Sequence, residues 1–227
     1  MAKNDHPRTL NKFIRFSLKA ISILIGIVLI LFILLFASNS WDLTPSDILD
    51  QSLPQKDTIE SDFPENYLIK TPNSFEQQGT NQCGGFTSAF VMRHFGQDCS
   101  GEDVYNQLDY KLSSGYVLPQ AILDYFTDHQ YQITLYQSDL SQLKTRVARG
   151  NPVIILMGQG GSWQHYAVVV GYDEENIYLF DSLKQTVEDN PHYNRSMTTA
   201  YFEKLWNNGI PFFERSCFVI KDPVKAK

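Results

Sequence analysis

Three kinds of hydrophobic pattern follow one another along the chain. From Ala20 to Ala37 only Ser22 and Gly26 interrupt an otherwise apolar sequence. A run of that length crosses a hydrocarbon core as a helix, for which about 20 residues are needed. Residues 38–65 are rich in Asp, Ser, Pro and Gln and sustain no apolar period, so they read as a linker. Beyond them, apolar positions at helical spacing predict helices over Cys83–Phe95, from Ser100 to about Asp109, over Pro119–His129, Asp139–Arg149 and Thr198–Asn208. Ser100 suits a helix N-cap, Pro119 a first turn and Gly150 a helix end. Alternating or continuous apolar runs predict strands over Gln132–Tyr136, Pro152–Met157, Tyr166–Gly171, Ile177–Phe180 and Cys217–Ile220. Helices come mainly first and strands later. That order predicts one α+β domain over residues 66–227, with helices on one side and an antiparallel sheet on the other. A chain of that size holds one full core.

Charge orients the long apolar segment. Lys3, Arg8, Lys12, Arg15 and Lys19 precede it, and with Asp5 they give the first forty residues +4, so the rest carries −10 within the total of −6. Basic residues stay on the cytoplasmic side, which predicts residues 1–19 inside, 20–37 in the cell membrane and the domain outside. A secretory signal has a shorter apolar region, typically about 7–15 residues, and a small-x-small cleavage site. Ala37-Ser38-Asn39-Ser40 has no clean Ala-x-Ala, so an uncleaved anchor is favoured over a cleaved signal. So acidic a remainder argues against nucleic-acid partners and against adhesion to anionic lipid.

Candidate chemistry is spread over two regions. Cys83 opens the run Asn-Gln-Cys-Gly-Gly-Phe-Thr-Ser-Ala-Phe-Val-Met, placing a thiol on the first turn of a helix. Six residues upstream is Gln77, whose side-chain amide suits an oxyanion donor. His165 begins His-Tyr-Ala-Val-Val-Val-Gly-Tyr, and Asp181 closes Ile-Tyr-Leu-Phe-Asp. A helix N-terminus and an imidazolium favour a thiolate, the histidine moves the proton, and the acid orients its ring. Gly84 and Gly85 leave room for a substrate carbonyl. His94 lies eleven residues along the helix from Cys83, about 16 Å by the helical rise, too far to be the base. Gly158-Gln-Gly-Gly-Ser-Trp-Gln lacks the lysine of a phosphate cradle and reads as a loop bordering a cleft, with Trp163 a roof over the pair. Tyr116 and Tyr166 are candidates to line a groove. His94, His129 and His192 are isolated and no Cys/His spacing suits zinc, so neither metal nor other cofactor is expected. Cys99 and Cys217 are left either as a pair or as two free thiols, the latter slightly favoured.

Gln77 to Met92 resembles the nucleophile motif of papain-like cysteine peptidases, especially those related to the double-glycine leader peptidases of bacteriocin exporters. The block from Asn151 to Ser182 is similar to their histidine region: a proline-led strand, the histidine strand, a Gly-Tyr-Asp turn and a strand ending in the acid. The likeness runs from about Phe75 to Phe218. It implies a papain-like fold, a Cys83–His165–Asp181 triad, a peptide or protein substrate, and Gly84, Trp163 and Tyr166 near that substrate. Two departures stand out. The acid is usually followed by proline, here by Ser182, and the exporters' ATPase motif is missing from this sequence. The expectation is a membrane-anchored extracytoplasmic cysteine peptidase. An acyltransferase, a cell-wall amidase or a catalytically weak peptide-binding module on the same fold are the alternatives.

Overall fold

The structure, a computed structural model, describes residues 6–39, 50–183 and 190–221. The chain forms two compact units, residues 1–41 and 42–227. The first holds helix α1 (His6–Asn39), within which Ser17–Leu34 has a mean hydropathy of 2.7 and is long and apolar enough to cross a membrane.

The second unit is a mixed α+β domain. Its strands are β1 (Gln55–Lys56), β2 (Tyr67–Leu68), β3 (Gln132–Gln137), β4 (Val153–Gly158), β5 (Gln164–Tyr172), β6 (Asn176–Phe180), β7 (Arg195–Thr198) and β8 (Ser216–Lys221). They lie in the order β1-β3-β8-β4-β5-β6-β7, with β2 paired to the end of β5. All pairings are antiparallel except β1 with β3. Its helices are α2 (Cys83–His94), α3 (Gly101–Gln107), α4 (Pro119–Asp128), α5 (Leu140–Ala148) and α6 (Thr199–Trp206).

The apolar runs of β4 and β5 are continuous because both faces of the sheet are covered. Ile154, Leu156, Val168 and Phe218 join a core with residues of α2 and α4. Val153, Ile155, Val169 and Cys217 join another with Leu143 of α5 and Phe202 and Trp206 of α6. Helices therefore flank the sheet on both sides, correcting the expected one-sided arrangement.

The predicted helices and strands lie within a few residues of their expected ends. Ser100 accepts from the Asp103 N–H at 3.1 Å, and Asp139 forms a capping box with Gln142 at the start of α5. The linker expectation needs a second correction. Residues 40–49 lie outside the described residues, but residues 50–65 belong to the domain. Gln51 and Ser52 exchange hydrogen bonds with Gln120 at 3.1 and 3.0 Å, and β1 extends the sheet. Asp57, 1% exposed, receives Arg146 Nη2 at 2.6 Å and Ser138 Oγ at 2.9 Å. A stretch without apolar period is held here by polar pairing, which periodicity does not register.

Candidate active site

Helix α2 presents Cys83 as its first residue, and the residue before it, Gln82, makes no side-chain cap. In its first turn the Gly85 N–H donates to the Gln82 carbonyl at 3.0 Å, and no side chain caps the N–H groups ahead of it. Strand β5 supplies His165 and the end of β6 supplies Asp181, both buried. His165 Nε2 donates to Asp181 Oδ1 at 2.9 Å, leaving Nδ1 for the hydrogen bond shared with the Cys83 sulfur.

Electrostatics at the ring are strongly biased. Burial works against the imidazolium, but hydrogen bonds with Asp181 and Cys83, and their charges, raise His165 to about 9. Burial likewise works against an ionised Asp181, yet His165 and Arg195 hold its carboxyl well below the usual carboxylate range. The other two thiols are free and differ in kind. Burial pushes the Cys217 thiol up to about 12 against the opposing hydrogen bond with Ser138, and burial also raises half-buried Cys99.

The remaining candidates separate. Trp163 stacks on the His165 ring at 5.7 Å between centroids, and Tyr166, buried, donates from its hydroxyl to the Val117 carbonyl at 3.2 Å. Both line a cavity of about 260 Å³ that also reaches Cys83, Tyr116, Leu156 and Ile210. The glycine-rich segment holds a 3-10 turn, Gly160–Ser162, tied to Asn208 through the Gly160 N–H at 2.6 Å.

Gly84 and Gly85 are both buried. A Cβ at Gly84 would meet Val117, and one at Gly85 would lie 2.4 Å from Tyr105 Cβ. Their missing side chains leave room for Val117 and Tyr105 to pack against α2.

Gln77 is exposed, whereas its neighbour Gln78 is half-buried and bonded to Ser182, the residue after the acid. The Gln78 N–H donates to the Ser182 carbonyl at 2.9 Å, and Ser182 Oγ donates to Gln78 Oε1 at 2.6 Å. The segment leading there is pinned by Arg93, which bonds Glu76 at 2.5 Å and Asn73 at 2.8 Å. Sequence reasoning missed Gln78 and Arg195. Two adjacent glutamines leave the choice open by one residue, and only the pairing of Gln78 with Ser182 separates them.

Several solved structures share this fold. A C39-like peptidase from Bacillus anthracis aligns at 13% identity and a TM-score of 0.53, covering 68% of this chain and 97% of its own. A double glycine motif protease of an AMS/PCAT transporter, solved with its leader peptide, aligns at 17% identity and 0.51, covering 68% and 93%. A cysteine protease from Carica candamarcensis, solved with E-64, aligns at 14% and 0.52, covering 70% and 99%. None of the curated proteins matches the chain by sequence. The model of the Peptidase_C39 like family matches residues 68–209, well over half of the sequence. With that match and this fold, the chain is a member of the Peptidase_C39 like family.

Proposed function

We propose that the chain is a membrane-anchored, extracytoplasmic cysteine peptidase working through Cys83, His165 and Asp181. The observation that carries the reading is the buried His165 ring, held between a carboxylate and the thiol at the start of an uncapped helix. Cys83 Sγ attacks the peptide carbonyl carbon, and the oxyanion is met by the Cys83 backbone N–H and a glutamine amide. Gln77, or the neighbouring Gln78 whose Oε1 accepts from Ser182 Oγ and whose amide nitrogen remains as donor, supplies that amide. His165 gives its proton to the leaving amine as the C–N bond breaks, leaving a thioester. It then takes a proton from water, whose oxygen displaces the thiol and releases the acid. The apolar cavity beside Cys83 suits an uncharged substrate side chain.

The apolar α1 segment and the basic residues before it support an anchor with the domain outside. The substrates are then secreted or surface peptides.

The test is labelling of the full chain by a thiol-directed peptidyl electrophile, with peptide hydrolysis measured alongside. Cys83 is expected to be labelled well ahead of Cys99 and Cys217, and His165→Ala to lose nearly all turnover. Equal labelling of all three thiols, or full turnover in His165→Ala, overturns the assignment. Protease shaving of intact cells tests the topology: a domain protected until lysis reverses it.

A further inference from the structure

Asp181 has more partners than an orienting acid needs. Its Oδ1 accepts from His165 Nε2 and from the Leu183 N–H at 3.0 Å, and its Oδ2 accepts from Arg195 Nη1. Its peptide is bracketed as well: the Asp181 N–H donates to Asn194 Oδ1 at 2.7 Å, and Asn194 Nδ2 donates to the Asp181 carbonyl at 2.8 Å. Arg195 opens β7 directly opposite Leu179 of β6, which makes it the diagonal cross-strand neighbour of Asp181. The Asp181 side chain is 0% exposed and that of Arg195 is 19% exposed, so this ion pair is largely shielded from water.

Turnover poses a problem that Arg195 solves. While His165 is protonated, Asp181 has a cationic partner. When His165 hands its proton to the leaving amine, the carboxylate would become a buried, unpaired anion, which is strongly unfavourable. That penalty would make the ring hold its proton too tightly to act as an acid. A guanidinium stays charged throughout the cycle and remains on Oδ2. Among the described residues, the ionisable groups acting on the pair are Cys83 from α2 and Arg195 from β7, and two phenols lie near Cys83. Those are Tyr105 of α3 and Tyr166 of β5, both raised by burial and by the charge at Cys83. Of these groups only Arg195 is a permanent cation.

We propose that Arg195 is a positioning residue that keeps Asp181 ionised and aimed at His165, so that the histidine can release its proton during turnover. This rests on His165 being the acid and base of the reaction. The experiment uses the full chain in detergent micelles with ¹⁵N-labelled histidine, following the His165 ring by NMR across pH. Variants are Arg195→Gln, Arg195→Met and Arg195→Lys. Removing a nearby positive charge stabilises the protonated ring. The Gln and Met variants should therefore titrate at least about half a pH unit above wild type, while Lys stays close to it. On a cleaved peptide, kcat should fall about tenfold or more in Gln and Met, with KM changed less than about twofold. If Met does not fold, Gln decides, since it keeps a donor but not the charge. A His165 titration unmoved in Gln or Met, or as displaced in Lys as in Gln, overturns the proposal. If the wild type cleaves no peptide, the peptidase reading fails, whereas the ring titration still decides the role of Arg195.

Discussion

Burial alone would make His165 shed its proton, because the charged ring loses more hydration than the neutral one. The rise to about 9 therefore comes from what Asp181 and Cys83 do for the imidazolium. This has a consequence for folding. A group whose folded pKa lies above its unfolded value, here about 9 against 6.5, stabilises the native state fully below the lower figure. It loses that contribution as pH rises through the upper one. The melting temperature of the wild type should fall between about pH 6.5 and 9 relative to that of His165→Gln, with the gap closed above the window. Scanning calorimetry across pH tests this, and a gap constant from pH 6 to 10 contradicts the coupling. At this scale the sequence already pointed to Cys83, His165 and Asp181, since each sits at the start or end of an element with an apolar signature. Arg195 was not legible. Its partner depends on the register of β6 against β7, and a four-residue strand reading Arg-Ser-Met-Thr carries no period of its own.

Among the elements, α2 decides the most. It starts at Cys83 without a capping side chain, so the stability of its first turn comes from packing. Gly85 is central to that packing. Tyr105 Cβ and the Tyr105 backbone nitrogen stand 2.4 and 2.7 Å from where an alanine Cβ would sit, so α2 and α3 touch at a point with no slack. Gly85→Ala should cost about 1–3 kcal/mol of stability through overpacking, despite the usual gain from replacing glycine in a helix. Urea unfolding of the two proteins gives the number, and a stabilised variant refutes the close approach. The long periodic elements were readable because burial on one face or two leaves a pattern in ten or so residues. β1 and β2, two residues each, are made by backbone pairing with partners far along the chain, and no local pattern marks them.

On the scale of the molecule, the segment before Cys83 wraps the domain. After β1 come Asp57 on Arg146, the Asp62 N–H on Thr145 Oγ1 at 3.0 Å, β2 on β5, and Gln78 on Ser182. Asp57 is the deepest of these anchors. Removing one partner of a buried pair leaves the other uncompensated, so Asp57→Ala should cost about 3 kcal/mol or more. It should also expose residues 50–62 to protease, which timed digestion with mass spectrometry will show; protection equal to wild type contradicts it. Composition gave no warning of this, since one aspartate among many polar residues looks like any other. The wrapping segment has a mechanical meaning too. Any pull applied to the chain ahead of Gln51 enters the domain there and loads in turn the Gln120 contacts, the two-residue β1 and the Asp57–Arg146 clamp. The first two are weak and give way by peeling. The clamp is where the load stops: Arg146 sits on α5, which packs against β4 and β5 on the face of the sheet opposite α2. A pull on the chain ahead of Gln51 is thus taken up by an ion pair on the sheet face opposite α2, before it reaches the segment that leads to Cys83.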